Sequence, residues 1–281
     1  MGRFARSWAL VKASVAVLQA NPRLLVFPLL AAVCALLVSA SFLAPLALGG
    51  ALVDRVDDGQ RPWWMAPVVF AFYLIQYFVI FFFNAALVGA ARIRLDGGNP
   101  TVRDGFAIAA SRWRQILGYA LIAATVGMIL RAIEERADFI GRWISALLGV
   151  TWTMTTFLVV PVLVSGNVGP IDAVRQSAEL LKRTWGENLA GNIGIGLVFG
   201  VVLAGWLLLS AGLVGVAVNA HSVVAIVIAV AVGVVGLLIL SLTQSALQGV
   251  YAAALHRYAQ TGDAGIGFER AWLADAFKLK A

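Results

Sequence analysis

The chain is poor in cysteine, histidine and charge, and each shortage excludes something. A single cysteine, Cys34, in 281 residues leaves no intrachain disulfide and no thiolate metal site. Two histidines, His221 and His256, lie far apart and are too few for most imidazole-based metal chemistry. Charged residues make up 12% of the chain, about half the share of a soluble domain. With 61% apolar residues and a mean hydropathy of +0.90, a water-soluble globular fold is excluded. What is abundant instead is long apolar sequence, and the natural unit is a membrane span of about 20 residues.

Six such runs stand out: Leu24–Leu48, Ala66–Ala91, Gln115–Leu130, Trp143–Ser165, Leu189–Val218 and Val223–Leu255. The third is short, and its helix is expected to continue through Arg131–Arg142, where Arg131/Glu135 and Asp138/Arg142 are opposite charges four residues apart. Basic residues gather on one side. The N-terminal segment has Arg3, Arg6, Lys12 and Arg23, and the second loop has Arg92, Arg94, Arg103, Arg112 and Arg114. The fourth loop adds Arg175, Lys182 and Arg183, and the tail adds Arg257, Arg270, Lys278 and Lys280. Only Arg55, Arg61, Arg131, Arg136 and Arg142 remain for the other side. This bias predicts both termini in the cytoplasm. It also accounts for the net charge of +7 without nucleic acid as a partner. The first apolar run is too long for a signal-peptide core, so no cleaved leader is expected.

The segments before the odd-numbered spans share an apolar spacing. Phe4, Trp8, Val11, Val15 and Leu18 recur in the increments of Val102, Phe106, Ala109, Trp113 and Ile116, and of Val174, Ala178, Leu181 and Trp185. A period of 3.6 places each set on one helix face, and the basic residues around them are those of helices lying at a membrane surface. Proline opens two of these segments, at Pro100 and Pro170. The expected fold is therefore an all-α, six-span membrane domain over residues 1–281, built as three units of amphipathic helix plus two-span hairpin. The units run over about 1–98, 99–168 and 169–260, with a C-terminal interfacial helix over 265–280.

The run from Pro170 to Trp185 (Pro-Ile-Asp-Ala-Val-Arg-Gln-Ser-Ala-Glu-Leu-Leu-Lys-Arg-Thr-Trp) resembles the helix before a hairpin in the membrane domain of some glycerophosphodiester phosphodiesterases. Ser7–Lys12 and Asn21–Leu30 resemble the start of an uncharacterised bacterial six-span family, a domain of unknown function. The resemblance implies an architecture in a bacterial cytoplasmic membrane. It implies no active site, because the phosphodiesterase's catalytic barrel has no counterpart here.

Within the spans, ionisable residues are confined to the ends, which argues against a proton-coupled pump. Uncharged polar residues form stripes: Tyr73, Gln76, Tyr77 and Asn84 on span two, and Gln244 and Gln248 with Ser241 and Ser245 on span six. They are candidates for a cavity lining or for interhelical hydrogen bonds. Gly196 and Gly200 form a GxxxG, and Gly233 and Gly236 continue a small-residue face on span six, so spans five and six are expected to pack as a hairpin, with a homodimer as the alternative. No nucleophile has a basic partner nearby in sequence, and no metal or cofactor is implied. The expectation is a non-enzymatic membrane protein that binds anionic lipid headgroups, a membrane partner, or both. Its binding surface is Arg92, Arg94, Arg112, Arg114, Lys182 and Arg183. The alternative is a transporter or channel for a neutral or amphiphilic solute.

Overall fold

The computed structural model describes residues 3–48, 64–136, 139–184 and 188–263, with residues 265, 266 and 268 beyond them. Among the described residues the secondary structure is helical throughout: α1 (Arg3–Ala20), a short 3-10 turn (Pro22–Leu25), α2 (Val26–Leu48), α3 (Met65–Leu95), α4 (Val102–Ser111), α5 (Trp113–Arg136), α6 (Phe139–Thr155), α7 (Val159–Ser165), α8 (Pro170–Thr184), α9 (Asn188–Asn219) and α10 (Val223–Thr261). Six stretches are long and apolar enough to cross a membrane: Pro22–Pro45, Met65–Leu95, Trp113–Glu135, Gly141–Ser165, Val198–Asn219 and Val223–Thr261. All six expected spans are found; the third runs on past Leu130, but α5 ends at Arg136 and Arg142, expected on its extension, lies in α6.

The connections α1–α2, α3–α5 and α7–α9 gather at one end of the bundle, here called the amphipathic end. Asn21 Nδ2 donates to the Pro100 carbonyl (3.4 Å), Arg112 donates to Asn167 Oδ1 (2.7 Å), and the Ile266 N–H beyond α10 donates to the Leu95 carbonyl (3.0 Å). The α5–α6 and α9–α10 turns lie at the opposite, hairpin end.

Packing is densest toward the amphipathic end. α10 is 39 residues long, about 58 Å at 1.5 Å per residue, against a hydrocarbon core of about 30 Å. Its segment from Ala246 to His256 is buried almost throughout, against Ala85–Ala91 of α3 and Val159–Leu163 of α7. Small residues allow that approach: a side chain on Gly249 would strike Leu87, and one on Gly105 would lie 2.7 Å from the Ala86 carbonyl oxygen.

Two expected helices are broken. The stretch read as one amphipathic helix from Val102 to Ile116 ends at Ser111, and α5 starts at Trp113. The break at Arg112 turns Trp113 away from the buried face of Ala109, leaving it 47% exposed. α4 starts where its sequence dictates. Thr101 is the N-cap, its hydroxyl accepts from the Asp104 N–H, and the Asp104 carboxylate accepts from the Thr101 N–H, closing a capping box. Span four breaks between Thr155 and Val159, just before Pro161, whose ring clashes with the carbonyl four residues earlier and whose nitrogen cannot donate. The freed backbone groups find a partner in α8. Ser177 Oγ donates to the Thr155 carbonyl (2.5 Å) and accepts from the Leu158 N–H (3.2 Å).

Candidate functional sites

The predicted basic surface divides in two. Arg103, Arg114, Arg175 and Lys182 are exposed on α4, α5 and α8. Arg114 lies over the Trp113 ring at 5.5 Å, and Ile171 beside them on α8 is 62% exposed. α8 buries Ala173 and Ser177 and turns Arg175, Glu179 and Lys182 outward. Arg112 and Arg94 bind within the chain, to Asn167 (2.7 Å) and to Asn99 (3.2 Å) respectively. Arg92 does not belong to the surface: it is half-buried, and its guanidinium donates to Ser165 Oγ. The Arg183 side chain, Trp185 and the expected C-terminal helix over 265–280, apart from three residues, lie outside the described residues.

Arg92 belongs to a polar knot that sequence spacing gave no reason to expect. Ser165 Oγ donates to the Pro161 carbonyl (2.5 Å) and lies 3.3 Å from His256 Nδ1. His256 is 2% exposed. A hydroxyl has one proton, and with that proton on Pro161 the serine accepts from Arg92 and from the imidazole. A serine beside a histidine can be a nucleophile–base pair; here the Ser165 hydroxyl is also held by Arg92 and by the Pro161 carbonyl. The arrangement holds α3, α7 and α10 together. The next residue along α10, Arg257, forms ion pairs with Asp96 and with Asp263 (3.1 Å), pinning the segment after α10 to the end of α3. Gly265 makes the return possible at φ +78°, with Leu95 so close that a side chain would meet it at 2.9 Å. Phe268 is then buried.

The predicted cavity residues part company. Gln76 turns to α2, where Nε2 donates to the Ala35 carbonyl (3.3 Å) and to Ser39 Oγ (3.1 Å). Asn84 faces α10 near Gly249, while Gln244 and Gln248 are half-buried on α10. Tyr73 and Tyr77 turn to α5 and line a cleft of about 830 Å³ at the hairpin end. Gly127, Arg131 and Glu134 of α5 and Arg142 and Ser145 of α6 complete its wall. Arg131 donates to the Tyr73 hydroxyl (2.6 Å) and pairs with Glu135 (3.1 Å). Ser145 Oγ donates to the Leu130 carbonyl (3.1 Å), tying α6 to α5 beneath the cleft. From there Tyr73, Tyr77, Phe81 and Tyr119 stack inward, with successive ring centroids 6.3, 5.6 and 4.4 Å apart. Asp138, the expected partner of Arg142, lies outside the described residues.

α9 and α10 do pack as a hairpin. Trp206, which the glycine pattern did not single out, donates from its indole N–H to the Gly233 carbonyl (3.0 Å), and its ring covers Gly236. Gly196 and Gly200 take no part: a side-chain carbon on either would meet no described atom within 4 Å. The close approach falls at the turn-proximal half of α9, where α10 runs alongside, and not at its start.

Six long apolar helices and an interior closed mainly at one end define a multi-pass α-helical membrane protein. The chain belongs to the family of unknown function DUF6159, whose pattern matches residues 64–268. No curated protein matches it.

Proposed function

We propose that this protein is a non-enzymatic lipid-binding component of a bacterial cytoplasmic membrane, with the amphipathic end and both termini in the cytoplasm. The observation that carries the reading is the exposed combination on α4, α5 and α8. Arg103, Arg114, Arg175 and Lys182 are exposed on these helices, and Trp113 and Ile171 on two of them are 47% and 62% exposed. Apolar and basic groups together at a helix surface suit a bilayer interface with anionic headgroups, at about 1 kcal/mol for each basic residue near that surface. The charge bias of the loops supports the orientation. The shared spacing of α1, α4 and α8 supports three units of surface helix plus hairpin. The likeness to phosphodiesterase membrane domains contributes the architecture alone.

The test is lipid retention. Replacing Arg103, Arg114, Arg175 and Lys182 by Gln should lower phosphatidylglycerol carried through purification by tenfold or more, since about 1.4 kcal/mol is already a factor of ten. Unchanged retention in a folded variant removes the reading. A second reading, passage of a neutral or amphiphilic solute, draws on the Tyr73–Tyr77 cleft. Substrate-dependent flux in liposomes would favour it, although Gln76 is already committed to α2.

A further inference from the structure

The cleft at the hairpin end has a charge pattern of its own. Arg131 and Glu135 satisfy each other, and Tyr73 holds the guanidinium in place. That leaves Glu134 on α5 and Arg142 on α6, both exposed into the same cleft and both without a hydrogen bond or ion pair among the described residues. Among the described residues this leaves one unpaired carboxylate and one unpaired guanidinium, on opposite walls, and they complement a ligand that carries both signs.

Beside the cleft runs a second space of about 360 Å³, bounded by Val126, Ile129 and Ile133 of α5 and Leu148, Trp152 and Thr155 of α6. The two spaces share Leu130. The cleft reaches Gly149 on α6, whereas the groove reaches Thr155. On α6 six residues carry it about 9 Å further toward the middle of the bundle, while on α5 the two spaces lie side by side and reach in to Val126 and Gly127. Its walls are almost wholly apolar. A charged mouth at the end of two spans, continued by an apolar groove between them, has the layout of a headgroup followed by an acyl chain.

The geometry points to a binding site for one zwitterionic phospholipid with a primary ammonium, of the phosphatidylethanolamine class. The phosphodiester lies at Arg142, the ammonium at Glu134, and an acyl chain in the groove between α5 and α6. The balance of charge argues against an anionic headgroup, which would meet Glu134 and Glu135 as well as the arginines. A guanidinium matches the two free phosphodiester oxygens with paired N–H donors. Glu134 accepts hydrogen bonds from an –NH₃⁺ group, which a quaternary choline cannot donate. The site lies at the opposite end from the basic surface helices and needs none of them.

The experiment places the full chain in nanodiscs of equal parts phosphatidylethanolamine, phosphatidylcholine and phosphatidylglycerol and measures bound lipid by native mass spectrometry. The wild type should retain phosphatidylethanolamine about fivefold over phosphatidylcholine, the ratio given by one added charge-assisted contact. Glu134→Gln should erase that preference. Arg142→Gln should lower retention of both zwitterionic lipids about fivefold alike. Thr151 of α6 also lines the groove, and Thr151→Phe, which fills it, should reduce phosphatidylethanolamine without changing its ratio to phosphatidylcholine. The Gln variant of Arg103, Arg114, Arg175 and Lys182 should keep the preference intact, so that this site and the basic surface fail separately. Equal retention of the two zwitterionic lipids by the wild type overturns the proposal. So does a preference that survives Glu134→Gln, or phosphatidylglycerol retained above both by the variant whose basic surface is replaced by Gln.

Discussion

The two ends of this bundle use similar residues to opposite effect. At the amphipathic end, Arg92, Arg112 and Arg257 turn inward or sideways onto Ser165, Asn167, Asp96 and Asp263, and a buried core of α3, α7 and α10 lies directly beneath them. At the hairpin end, Arg142 and Glu134 stand apart across a cleft, and the apolar residues nearby face outward, with Val223 at the start of α10 74% exposed. The difference follows from side-chain size. On α3, Gly89 and Ala86 lie against Ile108 and Gly105 of α4, while Gly249 of α10 lies against Leu87 and Asn84, so small residues let α4 and α10 both close on α3 and polar groups above them are drawn into contact. Toward the hairpin end the helices carry large apolar side chains that bilayer hydrocarbon can cover as well as protein can. One end is closed by the chain itself. The other is left for the membrane to complete.

The largest expected effect comes from forcing the closed end apart. Gly105→Ala places a methyl group 2.7 Å from the Ala86 carbonyl oxygen and against the Phe27 ring, with rigid backbone on one side. It should destabilise the bundle by about 1–3 kcal/mol, the usual cost of overpacking, visible as a lower thermal unfolding midpoint in detergent. An unchanged midpoint would mean that α4 is not seated on α3 as described.

Thr101→Ala is smaller and more local. Removing this N-cap should cost α4 about 1 kcal/mol, read by hydrogen exchange of its amides. The same box gives a pH dependence. Hydrogen bonds from the Thr101 N–H and then from its hydroxyl hold the Asp104 carboxyl below its usual range. Because the folded value is the lower one, the stabilisation is complete above the ordinary carboxylate range and disappears as pH falls through the lowered folded value. In the wild type, α4 protection corrected for intrinsic exchange should fall as pH drops through and below the ordinary carboxylate range, and the Thr101→Ala variant should lessen that slope without abolishing it, because the residue's N–H still donates to Asp104.

Gln76→Leu should do least. It removes two hydrogen bonds to α2, each of a kind that averages about 0.6 kcal/mol inside a membrane. It also relieves Oε1, which is buried without a partner among the described residues. A change in stability below about 1 kcal/mol with an unaltered lipid profile fits a packing role. A changed solute flux would instead reopen the idea of a polar track through the bundle.

The spans were legible in the sequence because hydropathy over about 20 residues reports directly on burial in a bilayer. The break in span four was not, since Thr155–Leu158 is as apolar on average as its neighbours, although Pro161 in the run was a local signal. Trp113 matched the heptad-like spacing and still came out exposed, because the break at Arg112 resets the helix phase. The stripe of Tyr73, Gln76 and Tyr77 lies within one broad helix face, but that face straddles the boundary between α2 and α5. Which neighbour each residue meets is a tertiary fact that a wheel does not contain. The knot of Arg92, Ser165 and His256 is made by contacts between residues 73 and 91 positions apart, and no spacing rule connects them.

The central claim is that the two ends bind different lipids, anionic at the basic surface helices and zwitterionic at the open cleft. The most direct measurement is a side-by-side census of lipids bound to two variants. One replaces Arg103, Arg114, Arg175 and Lys182 by Gln, and the other replaces Glu134 and Arg142 by Gln. The account predicts a crossover, with the first losing phosphatidylglycerol while keeping phosphatidylethanolamine and the second doing the reverse. Parallel losses of both lipids in both variants, or no loss in either, would contradict it.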